Sequence, residues 1–166
     1  MHIAPITPTH VASILARDGG NGWNRRETHW SDVLQQVEAG KRASLVAVHD
    51  GHVVGYGNLL WRSGYRGFAA AGIPEVHDLA TDVRRRGEGI ATSLIAEFEA
   101  LARRRGHAII GLGVGLYADY GPAQRLYVRL GYVPDGHGIT YRQEPVMPGA
   151  ALPIDDDMLL WLTKQL

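Results

Sequence analysis

The segment from Asp78 to Gly106 constrains the fold most, because it combines a strand end, a glycine-containing turn and an amphipathic helix without interruption. The apolar residues of the helix share one face: Ile90, Leu94, Ile95, Phe98, Leu101 and Ala102. Gly106 ends this pattern, and the apolar run from His107 to Val114 predicts a further strand. A helix with one apolar stripe must bury that stripe against another layer, so a sheet covered by helices is predicted.

The remaining elements are predicted from turn residues and short apolar runs. They are a helix from Thr7-Pro8 to Gly19-Gly20, a helix over about Arg25–Ala39, strands over Ser44–Val48, Val53–Trp61, Ile73–Thr81 and Met158–Thr163, and a short helix over Pro122–Leu130. Asp50-Gly51 is typical of a tight hairpin turn. Strands that alternate first with a hairpin and then with helices predict one mixed α/β (α+β) domain over residues 1–166.

Composition excludes several classes of function. Lys plus Arg and Asp plus Glu both number 17, and this zero balance argues against a general nucleic-acid binder. The absence of cysteine excludes thiol catalysis and thiolate metal sites, and the eight histidines form no tight ligand pair, so no metal is expected. The chain shows no signal-peptide pattern and no apolar run long enough to span a membrane. We therefore expect a cytoplasmic protein with neither a nucleic-acid nor a membrane partner.

The turn before the long helix has the chemistry of a phosphate site. Glycine is unusually frequent, with 21 of 166 residues against a usual share of about 7%, and Gly87 and Gly89 stand in this turn. Glycines let an anion approach the unpaired N–H groups of a helix N-terminus, and the triplet Arg84-Arg85-Arg86 adds positive charge. A Walker loop is excluded because Gly-Lys-Ser/Thr is missing, and Thr92 breaks the dinucleotide pattern.

Two ordered motifs carry a resemblance to a known family. Arg86-Gly87-Glu88-Gly89-Ile90-Ala91 fits the pattern Arg/Gln-x-x-Gly-x-Gly/Ala, which a register beginning at Arg84 also matches. Downstream, the segment from Ala123 to Tyr132 fits Ala-x-x-x-Tyr-x-x-x-Gly-Phe/Tyr. In these motifs and in the order of its elements, the chain resembles the GCN5-related N-acetyltransferase (GNAT) family. The alternative for the first motif alone is a glycine-bearing helix start beside solvated arginines.

The resemblance implies a fold and a co-substrate. The expected fold is a mixed, mostly antiparallel central sheet of about six to seven strands flanked by about four helices. Acetyl-CoA is the implied co-substrate, with its pyrophosphate at the turn and its pantetheine along the preceding strand. The implied binding residues are Leu79, Ala80, Thr81, Arg86, Gly87, Glu88, Gly89, Ile90, Ala91, Thr92 and Tyr120. Tyr120 stands where the family often has Asn, which is a departure from its pattern.

The resemblance also suggests catalytic residues. Tyr127 matches the family's general acid, and a phenol is able to protonate a departing thiolate near neutral pH; the alternative is a core aromatic residue on the apolar face of its helix. Glu75 is the first choice for the general base, followed by His77 and Asp78. Glu75 and His77 would share a sheet face, with Asp78 opposite unless a bulge intervenes. The alternative for each is a simple pairing with a neighbouring arginine.

The implied activity is direct transfer of an acetyl group from acetyl-CoA to a primary amine in a ternary complex, since a chain without cysteine forms no cysteinyl acyl-enzyme. The acceptor is a small-molecule or peptide amine. Its binding site is expected to be lined by the first two helices and the loop near Trp23. Trp30 and Trp61 are either walls of that site or core residues. Homodimers are common in the family. A non-catalytic acyl-CoA-binding sensor of the same fold is the alternative function.

Overall fold

The computed structural model describes the backbone of residues 1–21 and 25–166 and the side chains of residues 1–15 and 25–166. This part of the chain forms eight strands and five α-helices in a mixed α/β fold. In chain order they are β1 (His2–Pro5), α1 (Pro8–Asn21), α2 (Glu27–Glu38), β2 (Arg42–His49), β3 (His52–Leu60), α3 (Arg66–Ala71), β4 (Glu75–Thr81), α4 (Ile90–Arg104), β5 (Ile109–Gly115), α5 (Gly121–Arg129), β6 (Val133–Tyr141), β7 (Glu144–Pro145) and β8 (Met158–Gln165). The predicted fold class is confirmed, with slightly more strands and helices than expected. None of the described helices is both long and apolar enough to cross a membrane.

The chain divides into two compact units. The first comprises Met1–Trp61 and Val76–Leu101, and the second comprises Arg62–Glu75 and Ala102–Leu166.

In the first unit the strands follow the order β1-β2-β3-β4, with antiparallel pairing of β1 with β2 and of β2 with β3. The predicted hairpin turn is confirmed, because Asp50 and Gly51 both have positive φ, 49° and 76°, as a turn of type I′ requires. Trp30 is 1% exposed and packs edge-on against Tyr56, with ring centroids 4.9 Å apart. Trp30 is therefore a core residue, whereas Trp61 is half-buried.

Helix α1 begins as predicted. The Thr7 hydroxyl accepts a hydrogen bond from the backbone N–H of His10 at 3.3 Å, so Thr7 caps the helix that starts at Pro8. The helix continues through Gly19-Gly20 to Asn21, so the predicted end was too early. Trp23, which we expected in the acceptor loop, lies outside the described residues.

Helix α4 approaches strand β3 closely because β3 carries two glycines. A Cβ atom on Gly55 would lie 2.7 Å from Ile90 Cγ2, and one on Gly57 would lie 3.0 Å from a ring carbon of Phe98. A larger residue at either position would require these side chains or the helix itself to shift. Helix α4, which follows the candidate phosphate turn, therefore packs closely on β3.

In the second unit the strand order is β5-β8-β6-β7, and each neighbouring pair is antiparallel. The alternating glycines of β5 now have an explanation. Cβ atoms on Gly111 and Gly115 would lie 2.3 Å and 2.4 Å from the rings of Phe68 and Tyr120, and one on Gly113 would lie 3.1 Å from the ring of Trp161. The glycines of β5 therefore provide the space for three aromatic side chains.

Candidate functional site

The predicted phosphate turn is a short 3₁₀ turn, Val83–Arg85, followed by the two glycines and α4. The buried carboxylate of Asp82 caps the 3₁₀ turn by accepting the N–H of Arg84 at 3.0 Å, and it also pairs with the Arg84 guanidinium at 2.9 Å. The Arg85 guanidinium pairs with Glu88 at 2.6 Å, and this hydrogen bond lowers the pKa of Glu88. Arg86 forms no ion pair with any of the described residues. Two of the three arginines are therefore neutralised locally, and Arg86 carries the net charge of the turn.

Both glycines of the turn adopt the left-handed backbone that side chains disfavour. The φ angles are 87° at Gly87 and 80° at Gly89, and no atom lies within 4 Å of the place that a Cβ would take on either residue. The carbonyl of Gly89 accepts the N–H of Ser93 at 2.9 Å, which starts the helical hydrogen bonding of α4. Since the first N–H groups of a helix have no partner within it, the turn offers donors beside an open backbone surface.

Strand β4, which precedes the turn, has an irregular backbone at Asp78. Its φ is 53°, a left-handed value that is uncommon for a residue other than glycine and is found at bulges. Glu75 and Val76 are both buried, at 5% and 4% exposure, whereas His77 is exposed, so the side chains do not alternate strictly. The left-handed backbone at Asp78 is the kind of irregularity that a bulge produces, whereas a buried Glu75 and an exposed His77 do not fit the expectation that these two residues share one face of the sheet.

The carboxylate of Asp78 is already engaged. Its Oδ1 accepts a hydrogen bond from the Arg25 guanidinium at 2.5 Å, and its Oδ2 lies 3.5 Å from Nε2 of His29. The side chain of Asp78 is only 8% exposed, whereas that of Arg25 is 48% exposed. Burial lowers the pKa of His29 despite the opposing effect of Asp78. For Asp78, pairing with an arginine is therefore the arrangement found.

The carboxylate of Glu75 has a different partner. Ser63 lies in the connection between β3 and α3, and its Oγ donates a hydrogen bond to Oε2 of Glu75 at 2.5 Å. The same Oγ accepts the backbone N–H of Tyr65 at 2.9 Å. Sequence reasoning missed Ser63, because it belongs to no motif and lies 12 residues from Glu75 along the chain.

Tyr127, the predicted general acid, is a buried residue of α5. It is 8% exposed and lies against Tyr132, with ring centroids 6.1 Å apart. Burial is the only cause that raises the pKa of Tyr127, to about 12, so no charged neighbour and no hydrogen bond contributes to the shift. The phenol therefore stays protonated throughout the neutral range.

Tyr120, which stands where the resembling family often has Asn, is held by other groups. Its ring lies against Gly115, and its hydroxyl donates a hydrogen bond to Oδ1 of Asp156 at 2.9 Å. Burial and this bond raise the pKa of Tyr120. Sequence reasoning also missed Gln124, whose amide donates a hydrogen bond to the Gly115 carbonyl at 2.8 Å and so ties α5 to the end of β5.

The predicted residues fall in both units. Leu79, Ala80, Thr81 and the turn with Ile90, Ala91 and Thr92 belong to the first unit, as do His77 and Asp78. Glu75, Tyr120 and Tyr127 belong to the second. Within the described ranges, no three His, Asp or Glu side chains gather in the way that a metal site requires.

Comparison with known proteins gives a family match over most of the chain. Residues 11–132 match the model of the acetyltransferase (GNAT) family. No curated protein sequence matches the chain significantly.

Solved structures share the fold at low sequence identity. An N-acetyltransferase from Staphylococcus aureus Mu50 is 15% identical, with a TM-score of 0.73 over 99% of this chain and 97% of that one. An aminoglycoside 6'-N-acetyltransferase complexed with coenzyme A is 18% identical, with a TM-score of 0.70 over 99% and 97%. A ribosomal-protein-alanine N-acetyltransferase from Brucella melitensis is 21% identical, with a TM-score of 0.70 over the whole of both chains.

Proposed function

Since the chain belongs to the GNAT acetyltransferase family, we propose that it transfers an acetyl group from acetyl-CoA to a primary amine by direct attack in a ternary complex. The observation that carries this proposal is the turn at Gly87 and Gly89, where two left-handed glycines leave open space in front of the N-terminus of α4. A pyrophosphate requires such a surface, because its oxygens must reach backbone N–H groups directly.

The charge of the turn also supports the proposal that it binds the phosphates of CoA. Arg86 is the arginine of the triplet that has no ion-pair partner among the described residues, and it begins the register that leads into α4. Residues Arg86–Thr92 are therefore proposed to hold the pyrophosphate, with Glu88 serving to neutralise Arg85 rather than to contact the ligand. The pantetheine arm is proposed to follow the backbone of Leu79, Ala80 and Thr81. The left-handed φ of Asp78 supports this assignment, because such a φ is found at bulges, and a bulge leaves backbone groups of a strand outside its ladder.

The proposed chemistry needs one base and one acid. The acceptor ammonium gives a proton to the Glu75 carboxylate, directly or through water, and the neutral nitrogen then attacks the carbonyl carbon of the thioester. A carbon–nitrogen bond forms, the carbon–sulfur bond breaks, and the CoA sulfur leaves with the electron pair. Tyr127 donates a hydrogen bond and then a proton to that sulfur. The second proton that the amine nitrogen loses restores the phenol of Tyr127, and the proton on Glu75 passes to solvent. The products are the acetylated amine and CoA.

Glu75 remains the first choice for the base on structural grounds. The alternative carboxylate, that of Asp78, is paired with Arg25, and the remaining alternative, His77, is exposed rather than enclosed. Tyr120 is the weakest of the proposed CoA contacts, because its hydroxyl is already bonded to Asp156.

The acceptor is proposed to be the primary amine of a small molecule or a peptide. Similar structures include an enzyme named for aminoglycosides and one named for an alanine of a ribosomal protein, so both kinds of amine belong in a screen. The test is release of CoA thiol from acetyl-CoA in the presence of an aminoglycoside, a polyamine, an amino-acid amide and an alanine-starting peptide. Acetylated product from at least one amine supports the proposal. Tight CoA binding without thiol release for any amine contradicts it and favours an acyl-CoA-binding sensor.

A further inference from the structure

Ser63 is the residue that holds the proposed base, and no motif in the sequence points to it. We propose that Ser63 is a positioning residue for the acetyl transfer, which keeps the Glu75 carboxylate oriented to accept the proton of the amine. This inference rests on the proposed function, in which Glu75 is the general base.

The Ser63 hydroxyl donates to Glu75, and a count of its donors and acceptors agrees with this direction. A serine hydroxyl has one proton and two lone pairs. One lone pair of Ser63 accepts the backbone N–H of Tyr65 at 2.9 Å, and the single proton points to Oε2 of Glu75 at 2.5 Å. An ionised carboxylate only accepts hydrogen bonds, so this arrangement suits the charged form of Glu75, the form that a base requires.

Burial makes this bond important. Ser63 is 4% exposed and Glu75 is 5% exposed, so little water is available to replace the hydroxyl if it is removed. Hydrogen bonds to charged groups are among the stronger ones, so the Glu75 carboxylate is expected to be less firmly oriented when this donor is removed.

Ser63 is itself fixed by the neighbouring Tyr65. The ring of Tyr65 stacks on Trp161 with a centroid distance of 4.2 Å and an interplanar angle of 4°, and its hydroxyl donates to Asp135 at 3.0 Å. Asp135 also lies 3.4 Å from Nδ1 of His137. Because Tyr65 is held at both its ring and its hydroxyl, its backbone N–H, and therefore the Ser63 hydroxyl, has little freedom to turn away from Glu75.

The experiment compares kcat and the KM for acetyl-CoA in the full-length protein, using the amine that gives product in the screen. Ser63→Ala is expected to lower kcat about tenfold with the KM for acetyl-CoA unchanged, and Ser63→Thr to restore at least half of the lost activity. Ser44→Ala is the matched control, since Ser44 is also 4% exposed and is hydrogen-bonded to Asn58. That variant is expected to lose stability but to keep its kcat.

A double variant separates positioning from general stability. In a Glu75→Gln background, Ser63→Ala is expected to cause no further loss of kcat, because the carboxylate through which Ser63 acts is gone. A further tenfold loss in that background, or a wild-type kcat for Ser63→Ala alone, overturns the inference. If Ser63→Ala does not fold, the kcat of Ser63→Val is compared with that of Ser63→Thr, because these two side chains have the same shape and only Thr carries a hydroxyl.

The proposed function fails in a distinguishable way. A wild-type kcat for Glu75→Gln removes Glu75 from the mechanism whatever Ser63 does, and the absence of product with every amine overturns both proposals. A loss of kcat for Glu75→Gln without one for Ser63→Ala leaves the proposed function standing and overturns the role of Ser63 alone.

Discussion

Replacing Tyr127 with Phe tests the general acid with little disturbance of packing. The pKa of the buried phenol is raised to about 12, whereas the reference thiol, that of cysteine, has a pKa of about 8.5. Complete proton transfer from this phenol to a free thiolate is therefore uphill by about 3.5 pKa units, or about 5 kcal/mol. Tyr127 must then act mainly as a hydrogen-bond donor to the sulfur while the carbon–sulfur bond breaks.

This reasoning predicts an effect at the lower end of the range for general acids. Tyr127→Phe is expected to lower kcat by about 100-fold, with the KM for acetyl-CoA changed by less than about twofold. Since burial alone causes the pKa shift and Phe keeps the ring, the free energy of unfolding is expected to change by less than about 1 kcal/mol.

The assay is thiol release from acetyl-CoA at saturating amine, measured from pH 6 to pH 10, with thermal unfolding as the control. The wild-type protein is expected to show no loss of kcat from Tyr127 at the basic end of this range, because its phenol ionises only near pH 12. An unchanged kcat in Tyr127→Phe would refute the reasoning and leave Tyr127 as a core aromatic residue.

Three other predictions follow from the glycines and from β4. Gly89→Val is expected to raise the KM for acetyl-CoA about tenfold or more by blocking the phosphates. The control Gly106→Val, at an equally open glycine with φ of 84°, is expected to lose stability without a change in KM. Equal KM values for the two variants would count against the phosphate turn. Gly111→Ala is expected to lower stability by about 1–3 kcal/mol in thermal or urea unfolding, because its Cβ would lie 2.3 Å from the Phe68 ring. A Phe68→Leu change should recover part of that loss, and a wild-type stability of Gly111→Ala would disprove the clash. Asp78→Asn is expected to keep at least a third of kcat, since the carboxylate is engaged in an ion pair; a hundredfold loss would instead identify Asp78 as the base.

The elements that could be predicted are those with local signals. Helix α4 has a regular apolar stripe closed by a glycine, and the hairpin between β2 and β3 has Asp50-Gly51. Helix α3 was not predicted because it is only six residues long and too short to show a helical period. Strand β6 was not predicted because its pairing with β8 is interrupted between Pro134 and Ile139, so it has no regular alternation.

The residues of the candidate site also divide into those with local sequence signals and those without. The position of the turn and of α5 could be read from motifs, because glycine and tyrosine spacings are local. The neutralisation of Arg84 and Arg85 by Asp82 and Glu88 could have been found from their proximity in sequence. The contact of Ser63 with Glu75 could not, since it depends on how two distant segments pack. The sequence around Asp78 contains no glycine that would predict its left-handed backbone. For that reason a bulge in this strand could be considered but not predicted.

The glycine row of β5 has a consequence for how sequences of this kind diverge. The aromatic ring fills the space that a side chain on the glycine would need. Changes at Gly111 and Phe68, and at Gly115 and Tyr120, are therefore expected to occur together. A methyl group gained at position 111 is expected to cost less stability where residue 68 has already become smaller. In a set of diverging sequences, these two position pairs should therefore covary, while exposed residues of the helices drift independently.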